Sequence, residues 1–180
     1  QRFSGTSRIQ SVTTSDGKEV PADLVVVGVG NLPDTALAES AGIACDNGIL
    51  VDEHCRTSDP HIYAAGDCTD HPSARYGRRV RLESVDNALE QARIAAAGMC
   101  GIDARHAHVP WFWSDQYETK LQIAGLSEGF DQLVVRGDPA TNGFSVWYLR
   151  SGELLAVSAI NRAADFMQGG RWLAERKRLD

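Results

Sequence analysis

A continuous apolar run, "ADLVVVGVG" at residues 22–30, restricts the fold of this chain more than any other stretch. Successive side chains of a strand point to opposite faces of a sheet, so a strand without polar alternation must be covered on both faces. That arrangement is typical of parallel sheets in α/β proteins. The run therefore predicts a buried strand over residues 24–29, ending in Gly28, Val29 and Gly30.

A second apolar run ends in the same way. In "TSDPHIYAAGDC" the residues 62–65 are followed at once by Gly66 and Asp67. Open α/β sheets bind ligands just past the carboxyl ends of their strands, so this pattern predicts a strand with a ligand site at its end. A simple turn is the alternative, because Gly and Asp are common turn residues.

The strongest helix prediction covers "ESVDNALEQARIAAAGMCG". Its predicted buried stripe consists of Leu89, Ala92, Ala96 and Met99. Ser84, Asp86 or Asn87 can cap its first turn, and Asn87 with Glu90 has the spacing of a capping box. A shorter helix is predicted in "TALAESAG", closed by Gly42.

The pattern changes after about residue 104. The segments "LQIAGL", "QLVVRG", "FSVWYL" and "ELLAVSAI" are short and joined by Gly, Asp and Ser turns, which predicts a four-stranded antiparallel meander. A helix over residues 162–177 follows it. At the other end of the chain, the Asp-Gly pair in "SDGKE" predicts a hairpin.

Charge and cysteine spacing narrow the class of protein. The net charge of −6 argues against a nucleic-acid binder held by phosphate contacts, and no apolar stretch reaches the length of a membrane span. The four cysteines have neither the spacing of a zinc site nor that of a redox dithiol. Free thiols in a reducing cytoplasm are expected, with no metal site.

Four arginines lie within eight residues of the otherwise acidic chain: Arg75, Arg78, Arg79 and Arg81. A solvated basic loop is one interpretation of this cluster. A docking surface for an acidic protein or a phosphate is the other.

The glycine-terminated runs and the helix start together predict a ligand pocket. A glycine lets ligand atoms approach the backbone, because it has no Cβ. An ionised Asp67 accepts hydrogen bonds from hydroxyl groups. A helix that begins near Ser84 presents free N–H groups and the positive end of its dipole. These features suit a ligand with hydroxyl groups and a partly negative ring edge.

Three motifs carry a resemblance to a known family. "TSDPHIYAAGDC" resembles the second FAD motif of flavoproteins with two dinucleotide-binding domains, and "DLVVVGVGNLPD" resembles the stretch that precedes it there. "VPWFWSDQYETKLQIAGL" with "FSVWYLRSGELLAVSAINRAADF" is similar to the C-terminal domain of NAD(P)H-dependent ferredoxin reductases of bacterial oxygenase systems. The resemblance implies a partial FAD/NAD(P)-binding α/β domain of the glutathione-reductase type, followed by an α+β domain with an antiparallel sheet.

The resemblance also implies roles for FAD-binding residues. Asp67 would hydrogen-bond the ribityl chain, with Gly66 allowing close approach. Ser84 and Val85 would lie at the helix edge, where the Val85 N–H would face the flavin pyrimidine oxygen. Trp113 would lie over the flavin, while Trp111 and Phe112 are expected in an interdomain core.

On the nicotinamide side, the resemblance implies a lining made by Gly28, Val29 and Gly30, with Glu83 as a partner of the carboxamide. The implied reaction is hydride transfer from NAD(P)H to FAD, followed by single-electron steps to a [2Fe-2S] ferredoxin. The clustered arginines would then help to dock that ferredoxin.

A complete family member has two Gly-x-Gly-x-x-Gly units that are not found in this sequence. The chain is therefore expected to be a C-terminal portion, with a tail of the NAD(P) domain (1–20), the second part of the FAD domain (21–104) and the C-terminal domain (105–180). Alternatives are an NADH oxidase or disulfide reductase of the same superfamily, and a non-catalytic interaction fragment that binds no FAD.

Overall fold

The structure, a computed structural model, describes residues 2–179. The chain divides into two compact units, residues 1–32 and residues 33–180. The two units are described separately below.

The first unit contains a three-stranded antiparallel sheet: β1 (Arg2–Ser4), β2 (Ser11–Thr13) and β3 (Glu19–Pro21). The turn between β2 and β3 uses Gly17 at φ 82°, a conformation that favours glycine. The predicted hairpin at this Asp-Gly pair is confirmed.

The predicted strand at residues 24–29 is wrong. Residues 24–30 have no strand structure, and Leu24, Val26 and Val29 are 80%, 87% and 87% exposed. A buried strand needs neighbours on both edges and cover on both faces. Within residues 2–32 the three-stranded sheet does not pair with this run, so the apolar pattern finds no sheet to join.

The second unit begins with α1 (Ala36–Ser40) and a four-stranded sheet in the order β4-β5-β6-β7. Its strands are β4 (Cys45–Asp46), β5 (Gly48–Leu50), β6 (Thr69–Ser73) and β7 (Arg78–Val80). The β5–β6 pair is parallel, with Ile49 opposite Thr69, and the other pairs are antiparallel. The arginine-rich segment is therefore partly a strand, because β7 contains Arg78 and Arg79.

The strand predicted at residues 62–65 is also wrong. Only an isolated bridge forms there, between Tyr63 and Arg56, and the Thr57 N–H donates to Ile62 O at 2.9 Å. The run folds back on the residues just before it. The strand that leads into the sheet begins after Asp67, at Thr69.

Helix α2 (Val85–Met99) is confirmed, but its buried face differs from the prediction. Ser84 is the N-cap and accepts a hydrogen bond from the Asn87 N–H at 3.2 Å. The Asn87–Glu90 capping box is wrong, since the Asn87 side chain donates to Leu82 O. The predicted stripe is largely exposed, with Leu89 at 62% and Met99 at 66%. The buried residues are Asn87, Gln91, Ile94 and Ala95.

The remainder is a five-stranded antiparallel sheet in the order β10-β11-β12-β9-β8, one strand more than predicted. Its elements are β8 (Trp111–Gln116), β9 (Thr119–Gly125), β10 (Gln132–Asp138), β11 (Gly143–Arg150), β12 (Glu153–Ile160) and α3 (Ala163–Ala174). Helix α3 packs on the sheet around Leu154, Val157 and Leu173, all almost fully buried. The aromatic segment before the meander forms the additional edge strand, β8.

Two further findings concern the described part of the chain. No helix within residues 2–179 has both the length and the apolar character needed to cross a membrane. Cys45, Cys55, Cys68 and Cys100 are free thiols. Burial, with Asp52 and Glu90 nearby, raises the pKa of the Cys55 thiol to about 11, so Cys55 is not a thiolate nucleophile at neutral pH.

Candidate functional site

An open cleft of about 620 Å³ lies between the start of α2 and strand β8. One wall is formed by Asp67, residues 83–85 and Ala88, and the other by residues 112–115. Every lining residue belongs to the second unit. The cleft thus brings together five residues for which the resemblance implies a place in the site: Asp67, Glu83, Ser84, Val85 and Trp113.

Asp67 follows Gly66 in the turn that leads into β6. Gly66 has φ 91°, a conformation that is costly for residues with a Cβ. A Cβ placed there would meet Ala88 at 3.7 Å, an ordinary contact, so backbone conformation rather than space selects glycine. Among residues 2–179, no side-chain or backbone group hydrogen-bonds the Asp67 carboxylate, which is left available to donors in the cleft.

The start of α2 supplies backbone donors to the same wall. Val85 is the first residue of the helix, and first-turn N–H groups have no partner within a helix. The cap at Ser84 uses its side chain for Asn87, two residues beyond Val85. The Val85 N–H and the positive end of the helix dipole therefore favour an atom that carries partial negative charge.

Glu83 is held by an arginine that the sequence assigned to docking. Arg81 Nη1 is 2.5 Å from Glu83 Oε1 and 3.3 Å from Asp67 O, and its Nε donates to Asn47 Oδ1 at 3.2 Å. Its side chain is only 15% exposed. Arg81 therefore connects two residues of the cleft wall and is not a free docking charge.

Two more arginines of the cluster are also paired within the chain. Arg79 Nε is 3.1 Å from Asp70 Oδ1, and Arg79 Nη2 donates to Val51 O at 2.9 Å. Arg78 forms an ion pair with Glu128. The interpretation of the cluster as a solvated loop is wrong in one respect, because Arg78 and Arg79 lie in strand β7, but both side chains are exposed to solvent as that interpretation expected.

The opposite wall is aromatic. Trp113 is 38% exposed and stacks on Trp111, with ring centroids 5.1 Å apart. Trp111 packs against the core of the sheet, whereas Phe112 is 43% exposed and lines the cleft. The expectation of an interdomain core position for Phe112 is wrong, because β8 is an edge strand.

One contact joins the two walls. Asp86 Oδ2 lies 2.6 Å from His108 Nε2 and 3.4 Å from the Trp111 N–H. Asp86 belongs to the first turn of α2, and Trp111 begins β8. The separation of Val85 and Trp113 is thus fixed by side chains as well as by the chain path.

Gly28, Val29 and Gly30 lie in the first unit. All three are exposed, and Gly30 has φ 88°. Their predicted place on the nicotinamide side stays a prediction.

The sequence did not point to Gln91, which lies fully buried behind the Gly66–Asp67 turn. Its Oε1 accepts a hydrogen bond from the Gly66 N–H at 2.7 Å. A glutamine in an amphipathic helix is usually a surface residue, so spacing alone does not reveal this role.

The cleft fits a flavin with a hydroxylated side chain. It combines an unpaired carboxylate that can accept from hydroxyl groups, free N–H donors at a helix start, and an aromatic wall for a planar ring. Together with the antiparallel C-terminal sheet, these are the features that the resemblance to flavoproteins with two dinucleotide-binding domains implies.

The chain belongs to the pyridine nucleotide-disulphide oxidoreductase family, which it matches over residues 1–92. Residues 111–180 match the family described as reductase C-terminal.

Similar proteins agree with this membership. The chain is 49% identical over 169 residues to putidaredoxin reductase of Pseudomonas putida, covering 94% of this chain and 40% of that protein. It is 46% identical over 167 residues to rhodocoxin reductase of Rhodococcus erythropolis, covering 93% and 39%. The chain thus spans about 40% of the length of these relatives.

Solved structures of two reductases are also similar to this chain. The ferredoxin reductase for the CYP199A2 system from Rhodopseudomonas palustris superposes with a TM-score of 0.93 at 45% identity, covering 98% of this chain and 44% of that one. The reductase in the covalent putidaredoxin reductase–putidaredoxin complex superposes with a TM-score of 0.91 at 47% identity, covering 97% and 42%.

Proposed function

We propose that this chain forms the flavin-holding part of a ferredoxin reductase, which passes electrons from NAD(P)H through FAD to a [2Fe-2S] ferredoxin that supplies an oxygenase. The observation that carries the proposal is the single cleft lined by Asp67, Val85 and Trp113. The relatives named as redoxin reductases support the choice of acceptor. A cytoplasmic location follows from the same proposal.

The chain's own residues have separate tasks. The Asp67 carboxylate accepts hydrogen bonds from the ribityl hydroxyls, and the turn at Gly66 places it at the cleft mouth. The Val85 N–H and the α2 dipole stabilise negative charge at the pyrimidine edge. Bound FAD supplies the hydride and single-electron chemistry, as cofactors do in such enzymes.

Trp113 covers the ring plane and excludes water from it, while Ser84 caps the helix that carries Val85. Glu83 orients a nicotinamide carboxamide. Arg81 fixes the position of Glu83 relative to Asp67, because it donates to the Glu83 carboxylate and to the Asp67 carbonyl. Gly28, Val29 and Gly30 line the nicotinamide side. The proposed domain limits are 1–20 for the tail of the NAD(P)-binding domain, 21–104 for the second part of the FAD-binding domain and 105–180 for the C-terminal domain.

Docking of the ferredoxin is proposed on the surface beside Arg75, Arg78 and Arg79. Arg78 and Arg79 keep 45% and 41% of their side chains exposed although each is paired. A carboxylate of an acidic partner would therefore have to replace Glu128 in its ion pair with Arg78. Salt-dependent association is the expected signature.

The test is FAD binding by the chain and by Asp67→Ala, followed through flavin fluorescence. A hydrogen bond to a charged group contributes about 1.5–3 kcal/mol, so Kd for FAD should rise at least about tenfold. Asp46→Ala removes an exposed carboxylate outside the cleft and should leave Kd unchanged. Equal Kd values for Asp67→Ala and the unsubstituted chain would contradict the assigned site. A chain that retains no FAD would favour a non-catalytic interaction module.

A further inference from the structure

Gln91 connects the interior of α2 to the backbone of the Gly66–Asp67 turn. Its side chain has no exposed surface, and its Oε1 accepts from the Gly66 N–H at 2.7 Å. The Thr69 hydroxyl lies 2.8 Å from both Gln91 Oε1 and Gly66 O, with one proton to donate. Gln91 and Thr69 therefore hold the turn from its buried side, opposite the cleft.

The orientation of the Gln91 amide is set by its other neighbour. Gln91 Nε2 lies 3.1 Å from His71 Nδ1, and His71 is 2% exposed. Burial, with Arg79 and His108 nearby, lowers the pKa of His71 to about 4, so the ring is neutral at neutral pH. A neutral Nδ1 without hydrogen accepts from the amide NH₂, which leaves Oε1 directed at the Gly66 N–H.

We propose that Gln91 is a positioning residue for the flavin: it fixes the Gly66–Asp67 turn so that the Asp67 carboxylate is already directed into the cleft before FAD binds. A preorganised turn loses less conformational freedom on binding, which strengthens affinity. The inference rests on the proposed function. It separates Gln91 from the buried apolar residues of α2, such as Ile94, which contribute packing alone.

The test is a double-mutant cycle on FAD binding with Gln91→Met and Asp67→Ala in the full 180-residue chain. Methionine keeps a similar length but removes the acceptor for the Gly66 N–H. Gln91→Met alone should weaken FAD binding about tenfold, and in the Asp67→Ala background by less than about twofold. Equal effects in both backgrounds would show that Gln91 acts on stability alone, and would overturn the inference.

The matched control is Ile94→Ala, which removes buried apolar contacts of the same helix without touching the turn. It should lower the melting temperature yet leave Kd for FAD unchanged. If Ile94→Ala weakens FAD binding as much as Gln91→Met does, the effect is general loss of stability and the inference fails. Gln91→Glu retains an acceptor for the Gly66 N–H but loses the NH₂ donor to His71 Nδ1, so its affinity for FAD should lie between those of Gln91→Met and the unsubstituted chain.

A second readout needs no flavin. The Gly66 amide proton should exchange with solvent at least about tenfold faster in Gln91→Met than in Ile94→Ala, because only the former loses its acceptor. Unchanged exchange would overturn the inference. If the unsubstituted chain binds no FAD while Gly66 is protected by Gln91, the proposed function fails, and the hydrogen bond stands as a structural one only.

Discussion

At the scale of single residues, two histidines make this chain sensitive to acid, since His71 is buried and His106 is partly buried. His71 and His106 pack edge to face with ring centroids 4.5 Å apart, and His108 lies 5.0 Å beyond His106. Burial is the main cause that lowers the pKa of both His71 and His106 to about 4, with a smaller effect of Arg79 on His71 and of the neighbouring histidines on His106. Both rings are therefore neutral in the folded protein under conditions where the unfolded chain is protonated.

The expected result is a loss of stability as the pH falls from 6.5 to 4. In that window the unfolded state binds protons that the folded state does not, so the free energy of unfolding decreases by roughly 3 kcal/mol for one such histidine. Well above pH 6.5 the histidines are largely unprotonated in both states and add little pH dependence. Urea denaturation at a series of pH values measures the slope.

Substitution identifies the histidine responsible. His106→Leu removes a ring whose Nε2 is buried without a partner among residues 2–179, and it should flatten the slope between pH 4 and 6.5. His61→Leu, at an exposed position, should leave the slope unchanged. An identical slope in His106→Leu and the unsubstituted chain would show that His106 binds its proton equally well in the folded and the unfolded state, and would contradict the prediction.

Single residues also show what a sequence can and cannot reveal about the site. Asp67 and Trp113 belong to motifs that carry the resemblance and Val85 to the predicted helix start, and the structure places all three at one cleft. Gln91 and Arg81 act through the backbone of Gly66 and Asp67. These partners are 25 and 14 residues apart in the chain, respectively, and only the fold brings them into contact.

At the scale of elements, two adjacent glycines in α3 show how closely this helix packs against the C-terminal sheet. A Cβ on Gly169 would lie 2.2 Å from Val157 Cγ1 in the central strand β12, whereas a Cβ on Gly170 would meet nothing within 4 Å. The two adjacent glycines therefore differ in packing but share one helix.

Gly169→Ala should destabilise the protein by about 1–3 kcal/mol, because the added methyl group overpacks the interface between α3 and β12. Gly170→Ala should stabilise it by about 0.5–1 kcal/mol, because alanine has the higher helix propensity. Chemical denaturation of the two variants gives the comparison directly. Stabilisation by both substitutions would mean that α3 does not pack against Val157 as described.

Helix α2 explains why element type was easier to predict than burial. Its caps and length follow from local sequence, and both the helix and its start near Ser84 agree with the structure. Burial depends on what the helix packs against. The buried face of α2 carries two polar residues: Asn87 donates to the Leu82 carbonyl, and Gln91 accepts from the Gly66 N–H. The apolar Leu89 and Met99 lie on the exposed face.

At the scale of the whole molecule, the same reasoning applies to the apolar run at residues 22–30. Its sequence has the pattern of a strand covered on both faces, yet Val26 and Val29 are both 87% exposed. A periodicity argument assumes that a partner sheet exists. Within residues 2–179 that partner is not present, which is why the prediction failed for this run and succeeded for the self-contained sheet of β8–β12.

The division of the chain into two units leads to a final prediction. All residues that line the cleft lie between 67 and 115, inside the second unit. A chain of residues 33–180 should therefore bind FAD with Kd within about threefold of the whole chain. Gly28, Val29 and Gly30 are removed by this truncation, so any role on the nicotinamide side should show separately, as slower reduction of bound flavin by NADH.

The two readouts distinguish the possible roles of the first unit. Retained FAD with slower reduction would place the Gly28–Gly30 segment on the path of the nicotinamide and leave the cleft to Asp67, Val85 and Trp113. Loss of FAD from residues 33–180 would contradict the assignment of the cofactor site to the second unit alone. Unchanged binding and unchanged reduction would overturn the predicted role of Gly28, Val29 and Gly30, because their exposed backbone would then contribute to neither step.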